Sequence, residues 1–408
     1  MTDRTPRALV VGYRSLEHGQ RRNIIGRVDG ATYRRTWDLA TAADAVARRL
    51  NGLAQRLIGR SPIPTTHFVN RFLDLELNDV TLCHLFNAVS YGRRPWVVTF
   101  ETVVPRFPAS LACHHGASPG FGQLEEERGI RHGLARLASD SCKRLIALSA
   151  CNAAMQRGLL AHFPRYGRAI ADKLVILHPP QPVLVSTYAE KQLALEGPLQ
   201  FMFVGHDFFR KGGVEVLETF HRLRGAHGYR LELTIVSSLK VDTYGTRSGP
   251  QDVLKARAFI EQNASWIKHF ERLPNAEVLA LMKHAHVGLL PTYADTYGYS
   301  TLEFQASGCP VITTNVRALP EVNDNEKGWI IDVPKNRLGE AIYTTPADRR
   351  LSSERIREGL EKAVHEIVAD RALVPRKADN AILSIARHHD PAAHAATLKR
   401  IYLEAIAG

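Results

Sequence analysis

Apolar residues fall along the chain in two recurring patterns, and their alternation predicts the fold. ALVVGY (8–13), VTLCHLF (80–86), PWVVTFE (95–101) and RLIALS (144–149) are short, nearly continuous apolar runs. This is the pattern of strands in a parallel sheet covered on both faces. KLVILHPPQP (173–182) predicts a strand that ends in prolines. Between these runs, residues 41–58 repeat apolar side chains at helical spacing, with Val46, Leu50, Leu53 and Leu57 on one stripe. LARLASDSCK predicts a second helix, and a third follows from Ser149.

The rhythm restarts after the prolines and the polar stretch to Pro198, which mark a domain boundary. LQFMFVG (199–205), YRLELTIVSS, HVGLLP, PVITTN and KGWIIDV predict strands; Lys211 to Arg224, NAEVLALMKHA and TLEFQASG predict helices. Regular βα alternation in both halves predicts an α/β protein of two Rossmann-like, doubly wound domains facing across a cleft. The expected domains are residues 1–182 and 183–390, with a C-terminal helix at 391–408 that packs on either. No solenoid-length repeat or low-complexity segment is present.

Length and composition agree with two ordinary globular domains: 408 residues, 45% hydrophobic and 23% charged. No apolar run approaches a membrane span. The start, MTDRTPRALVVGYRS, reads as a first strand and lacks the features of a secretory signal. Cys83, Cys113, Cys142, Cys151 and Cys309 show no paired spacing, which argues against a zinc or disulfide frame and for a reducing, cytoplasmic setting.

Charge changes the picture more. Residues 1–180 carry 25 Lys and Arg against 14 Asp and Glu, while 181–408 carry 28 against 27. The net +12 therefore sits almost wholly in the first half, which suits an anionic partner. Basic strands interleaved with aromatics are missing, which argues against nucleic acid. A Gly-x-Gly-x-x-Gly after the first strand is missing too, which argues against a dinucleotide-dependent oxidoreductase.

Candidate chemistry gathers in the second half, where ligands of open α/β sheets sit at the carboxyl ends of strands. LQFMFVG, ending in Gly205, leads through Arg210-Lys211-Gly212-Gly213 into a helix. Two adjacent cations on a glycine-bearing loop at a helix start suit phosphate, although the dipeptide alone also reads as solvated loop charge. In PTYADTYGYSTLEFQASGCPVITT (291–314), Asp295 and Glu303 stand eight positions apart around Tyr297-Gly298-Tyr299-Ser300-Thr301. Acids flanking a helix start suit the hydroxyls of a sugar and a ribose, although the pair alone also reads as a solvated loop acid and a helix Glu.

These motifs, in this order, resemble the retaining glycosyltransferases of family 4, which have the GT-B fold. The family's Glu-x7-Glu segment is matched from Asp295 through Glu303 to Ala306-Ser307-Gly308-Cys309-Pro310-Val311-Ile312, and ALPEVND (318–324) is similar to its Pro-Glu segment. The resemblance covers the second half well and the first loosely. It implies that Arg210 and Lys211 hold the donor diphosphate and stabilise the leaving group. Asp295 takes hydroxyls of the transferred sugar and Glu303 the ribose. Gly298, Tyr299 and Ser300 offer amides, Thr301 and Leu302 line the same turn, and the base lies near Arg272-Leu273. The implied reaction moves a sugar from a nucleotide-diphosphate sugar, UDP- or GDP-linked, to a hydroxyl with retained configuration. It needs no metal or other cofactor, and polysaccharide biosynthesis is the implied setting. The alternative is a GT-B protein that has lost catalysis and serves as a sugar-binding or scaffold subunit.

Three departures stand out. Asp295 is one methylene shorter than the family's Glu. Glu101 stands at the end of VVTF, where the family often has His; it is a candidate catalytic carboxylate or a plain surface acid. The glycine-rich loop after the first strand is replaced by GYRSLEHGQRRN, where Gly12 and Arg14 are acceptor-side candidates and Gly12 reads equally as a strand terminator. His84, His114 and His115 are further acceptor-side candidates, though histidines in such places are more often structural; no third metal ligand stands near them at a recognisable spacing.

The helix at 41–58 carries Arg48, Arg49 and Arg56, with Arg60 just after it, in this same basic half. The ordinary expectation is that its apolar stripe faces the core; the other is that it lies on an acidic membrane. A glycan, glycolipid or other anionic acceptor, met at the inner membrane face, is the expected partner.

Overall fold

The structure is a computed structural model that describes residues 8–63, 65 and 68–407; the first seven residues of the expected N-terminal strand segment lie outside it. The chain divides into two compact units. One comprises residues up to His114, Gly120–Pro180 and Pro391–Gly408; the other comprises His115–Pro119 and Gln181–Asp390.

The first unit contains, in chain order, β1 (Val10–Tyr13), α1 (His18–Asn23), β2 (Thr32–Arg35), α2 (Leu39–Ile58), β3 (Arg71–Phe72), β4 (Leu82–Phe86), β5 (Val89–Ser90) and β6 (Trp96–Phe100). There follow α3 (Pro108–Ala112), α4 (Arg128–Ala138), β7 (Cys142–Ala147), α5 (Ala150–Leu160), α6 (Pro164–Ala171) and β8 (Leu174–Ile176). Six strands pair in parallel in the order β2-β1-β4-β6-β7-β8, and β3 pairs with β5 apart from them. β4 and β6 are buried at every position, which is why they read as unbroken apolar runs.

The second unit contains β9 (Leu199–Val204), α7 (Gly213–His227), β10 (Leu231–Val236), α8 (Pro250–Gln262), β11 (Ile267–Phe270), α9 (Asn275–Lys283) and β12 (Val287–Leu290). It continues with α10 (Tyr299–Ala306), β13 (Val311–Thr314), α11 (Leu319–Val322), β14 (Gly328–Ile331), α12 (Pro346–Ala369) and α13 (Leu373–His388). Its sheet runs β11-β10-β9-β12-β13-β14, all parallel. In sequence rank that is 3-2-1-4-5-6, so the strand order reverses between β9 and β12. A crevice opens outside the carboxyl ends of strands at such a reversal.

The last helix, α14 (Pro391–Ala407), returns to the first unit. Its Leu398, Ile401, Tyr402 and Ala405 join Val11, Leu82, Val97 and Ile146 in one buried cluster.

Several expectations are corrected. The DSCK end of LARLASDSCK is not helical: α4 stops at Ala138, and Cys142 opens β7. The helix expected from Lys211 begins at Gly213, because Gly212 takes φ +82° and caps it. Gly12 is no terminator. It lies inside β1 opposite Arg34 and Cys83, where a Cβ would press against Thr36 and Val80.

The largest correction concerns α2. Its stripe does not face the core: Val46, Leu50 and Leu53 are about half exposed (55%, 48% and 55%) and Leu57 is 82% exposed. The only buried residue of the helix is Ala47. At about 100° per residue Ala47 lies roughly a quarter-turn from the stripe, so the helix rests on the protein by its small side. Asp38 caps it through the amides of Ala40 and Thr41, and Asn51 anchors it to the backbone of Ile63.

Candidate functional site

The loop after β9 is shaped by its aromatic pair. Phe208 and Phe209 are buried in the core of the second unit, which pins the loop from beneath and leaves Asp207, Arg210 and Lys211 on its outer side. A Cβ at Gly205 would collide with the Lys211 stem, so this glycine lets the lysine lie across the end of β9. A Cβ at Gly212 would collide with the Pro291 carbonyl, so the loop after β9 and the loop after β12 touch there. The Tyr293 amide and the Thr292 hydroxyl both donate to the Arg210 carbonyl, at 2.9 and 3.2 Å.

That stitching brings Lys211 to Asp295, 84 residues on. Lys211 Nζ donates to Asp295 Oδ2 at 2.7 Å, with both side chains largely buried. Asp295 Oδ1 accepts from the amides of Gly298 (2.9 Å) and Tyr297 (3.2 Å). Burial pushes the Asp295 carboxyl up, but the charge and hydrogen bond of Lys211, with the Gly298 and Tyr297 amides, outweigh it and hold the group below its ordinary value. A lowered folded value means that this contribution to stability is present above the unfolded carboxylate range and is lost as pH falls through the folded value. Acidification from pH 5 to 3 is therefore expected to lower the Tm of the wild type more steeply than that of Asp295→Asn, read by thermal shift.

Gly298 caps α10 with φ +84°, and a Cβ there would meet Leu319. Beyond it Ser300 Oγ and Thr301 Oγ1 are buried without a hydrogen-bond partner. Two orphaned hydroxyls at a helix start, beside a lysine and a carboxylate, are suited to polar atoms of a ligand. Leu302 is fully buried and Glu303 is buried one turn into the helix. Tyr297 is fully buried, its ring 5.5 Å from that of Tyr299.

Arg210 is paired with Asp207 on its own loop, and its guanidinium lies 5.9 Å from the Tyr244 ring. Asp242 organises the turn that carries Tyr244, accepting from the Gly245 amide (3.0 Å) and from the amide and hydroxyl of Thr246 (2.7 and 3.0 Å). His115 belongs to this surroundings, with its Nε2 2.8 Å from the Tyr244 hydroxyl and its Nδ1 3.3 Å from that of Tyr343. Sequence reasoning passed over Asp207, Asp242 and Tyr244, although DTYGT has the Asp-x-x-Gly form of a side-chain-closed turn. Arg272 is exposed after β11 and Leu273 packs partly on the core.

In the first unit the candidates are dispersed. Glu101, at the end of β6, pairs with Arg106 (3.4 Å) and accepts from Asn87 Nδ2 (3.3 Å). Arg14 pairs with Asp38 (3.0 Å), so it supports the cap of α2. His114 is buried. His84 is a core residue: its nitrogens meet Tyr402 Oη at 2.7 Å and Thr99 Oγ1 at 2.8 Å, which leaves neither for an acceptor. All five cysteines are free.

Residues 186–362 match the family model of Glycosyl transferases group 1. Among curated proteins the chain is 24% identical over 212 residues to "Glycogen synthase" of Mycobacterium tuberculosis, covering 52% of this chain and 44% of that one. It is 27% identical over 241 residues to "D-inositol 3-phosphate glycosyltransferase" of Arthrobacter sp., covering 56% and 53%. The chain thus spans about half the length of the curated relatives it matches. Among solved structures, Anabaena Alr3699/HepE in complex with UDP superposes over 96% of this chain and 98% of its own, with TM-score 0.56 and 11% identity.

The fold is GT-B. The group 1 match spans the loop after β9, the turn after β12 and α10, and so encloses the Lys211–Asp295 pair.

Proposed function

We propose that the chain is a metal-independent, retaining glycosyltransferase that moves a sugar from a nucleotide-diphosphate sugar to an acceptor hydroxyl. The observation that carries this reading is the Lys211–Asp295 pair at the carboxyl ends of β9 and β12, where the strand order reverses. Lys211 and Arg210 take the diphosphate and stabilise the charge that develops on it as the glycosidic bond breaks. Asp295 takes hydroxyls of the transferred sugar, and Glu303 those of the ribose. The α10 start, with Gly298, Tyr299, Ser300 and Thr301, meets the remaining sugar and phosphate oxygens. The base lies along Arg272-Leu273, and Glu101 is the carboxylate assigned to the acceptor side. UDP is favoured as the nucleotude by the ligand named for the Anabaena structure. Thermal-shift titration with UDP, GDP, ADP and dTDP sugars tests the reading. Stabilisation by one of them that Lys211→Ala abolishes supports it, and indifference to all four overturns it.

The acceptor we favour is anionic and lipid-borne, met at the cytoplasmic face of a membrane. One similar protein is named for a phosphorylated acceptor, D-inositol 3-phosphate. Among the described residues no helix is long and apolar enough to cross a membrane. The support comes from α2, whose outward stripe of Val46, Leu50, Leu53 and Leu57 is flanked by Arg49 and Arg56. Four large apolar groups beside fixed positive charge fit an acidic bilayer surface. Co-sedimentation with vesicles containing anionic phospholipid is expected to exceed that with neutral vesicles by at least about tenfold. The double variant Leu50→Glu/Leu53→Glu is expected to lose the difference. Equal partition into both vesicle types counts against the idea.

A further inference from the structure

Away from the Lys211–Asp295 site, the seam between α7 and α12 holds a group of side chains with a different chemistry. His227 is the last residue of α7. Glu361 and His365 stand four apart on α12 and so share one face a turn apart. One ligand atom from each of the three lies within 4.8 Å of the others. We propose that His227, Glu361 and His365 form a zinc site that staples α7 to α12. This inference does not depend on the glycosyltransferase reading. Counting along α7, the site lies about 21 Å from the helix start that follows Lys211.

Three observations shape the site. His365 Nε2 is 3.7 Å from Glu361 Oε1, close to the roughly 3.4 Å between two ligands of a tetrahedral zinc with bonds near 2.0–2.1 Å. The other ring nitrogen, Nδ1, is 2.8 Å from the Tyr229 hydroxyl. When Nδ1–H donates to that oxygen, Nε2 keeps its lone pair toward Glu361, and the imidazole is held in the tautomer and orientation a metal needs. Gly228, at φ +65°, turns the chain so that His227 and Tyr229 both lie against the His365 ring, with ring centroids at 4.8 and 5.4 Å.

Glu361 is shared without conflict. Arg222 takes its Oε2 at 2.5 Å, and Oε1 is the oxygen that faces His365. The same seam carries the Arg357–Glu218 pair at 2.6 Å. A cation bound by two imidazoles and a carboxylate would add a further tie to these two ion pairs between the helices, with water in the fourth position. Nitrogen and oxygen ligands in this ratio suit zinc among the divalent ions.

The test uses the full chain, free of any polyhistidine tag and stripped with chelator. Titration with Zn2+ alone, followed calorimetrically, is expected to show one ion per chain. Saturating Zn2+ is expected to raise the Tm by about 5 °C. His365→Ala and His227→Ala are each expected to weaken binding at least about tenfold, and Tyr229→Phe by a smaller factor. The Tm of each variant in chelator reports whether it has folded. No Zn2+ binding by the wild type overturns the proposal. So does binding that both histidine variants leave unchanged, since the ion would then sit on others of the 18 histidines.

Discussion

Lys211→Ala is expected to lower kcat/KM for sugar transfer by about 10²–10³-fold, the usual cost of removing one donor aimed at developing charge in a water-poor site. The lysine stem lies across the end of β9 because position 205 has no Cβ, and its ammonium reaches the turn after β12. Nothing else in that turn is cationic, and Arg210, which shares the diphosphate with it, reaches from the loop after β9, where it pairs with Asp207. The variant also strips Asp295 of its ion-pair partner. Two backbone amides remain, so the stability cost should stay near 1–3 kcal/mol rather than reach that of a wholly unpaired buried charge. A purely structural lysine would lower Tm and activity together. A lysine that holds diphosphate would also lower affinity for UDP alone, which Asp295→Asn should leave nearly intact because the ammonium is retained. Kinetics and UDP titration of the two variants separate these roles. Wild-type kcat/KM in Lys211→Ala would sink the assignment.

The parts of this molecule legible in sequence are those whose cause is local. β4, β6, β9 and β12 are buried on both faces, so their continuous apolar runs announce them. β2 (TYRR) and β11 (IKHF) are edge strands with exposed residues and polar side chains, and neither stands out from loop. The loop after β9 and the turn around Gly298 were legible because glycine, cation and acid follow one another within a few residues. Periodicity misled at α2, and the reason is general: spacing shows that a helix has one apolar face, not what covers it. Distance along the chain hid the rest. The partner of Lys211 is 84 residues away, and the partner of His84 is 318 away. The triad of His227, Glu361 and His365 is likewise half legible, since only its Glu-x-x-x-His portion lies on one helix.

Tyr402→Ala is expected to destabilise the first unit by about 3–5 kcal/mol, the second large effect. Tyr402 is fully buried on α14, among side chains of β1, β4, β6 and β7. Truncation removes a ring from a packed cluster and also orphans His84 Nδ1, 2.7 Å away. Tyr402→Phe keeps the volume and removes only the hydroxyl, so its cost should be about 1–2 kcal/mol. The pair also sets a pH response. Burial, with a smaller push from His394, holds His84 down at about 3. The free imidazole titrates near 6.5, so between those values the unfolded chain binds a proton that the folded one refuses. The stability supplied by neutral His84 is therefore complete above about pH 6.5 and drains as pH falls toward 3, by up to about 1.4 kcal/mol per pH unit. Urea unfolding at pH 7.5 and 5.5 checks both statements, followed by a probe placed in the first unit. His84→Gln, which cannot titrate, should be less stable at pH 7.5 yet lose less on going to pH 5.5. If wild type and His84→Gln lose the same amount, the histidine is not the group that couples this packing to protons. If Tyr402→Ala unfolds at the wild-type urea concentration, α14 does not stabilise the sheet it covers.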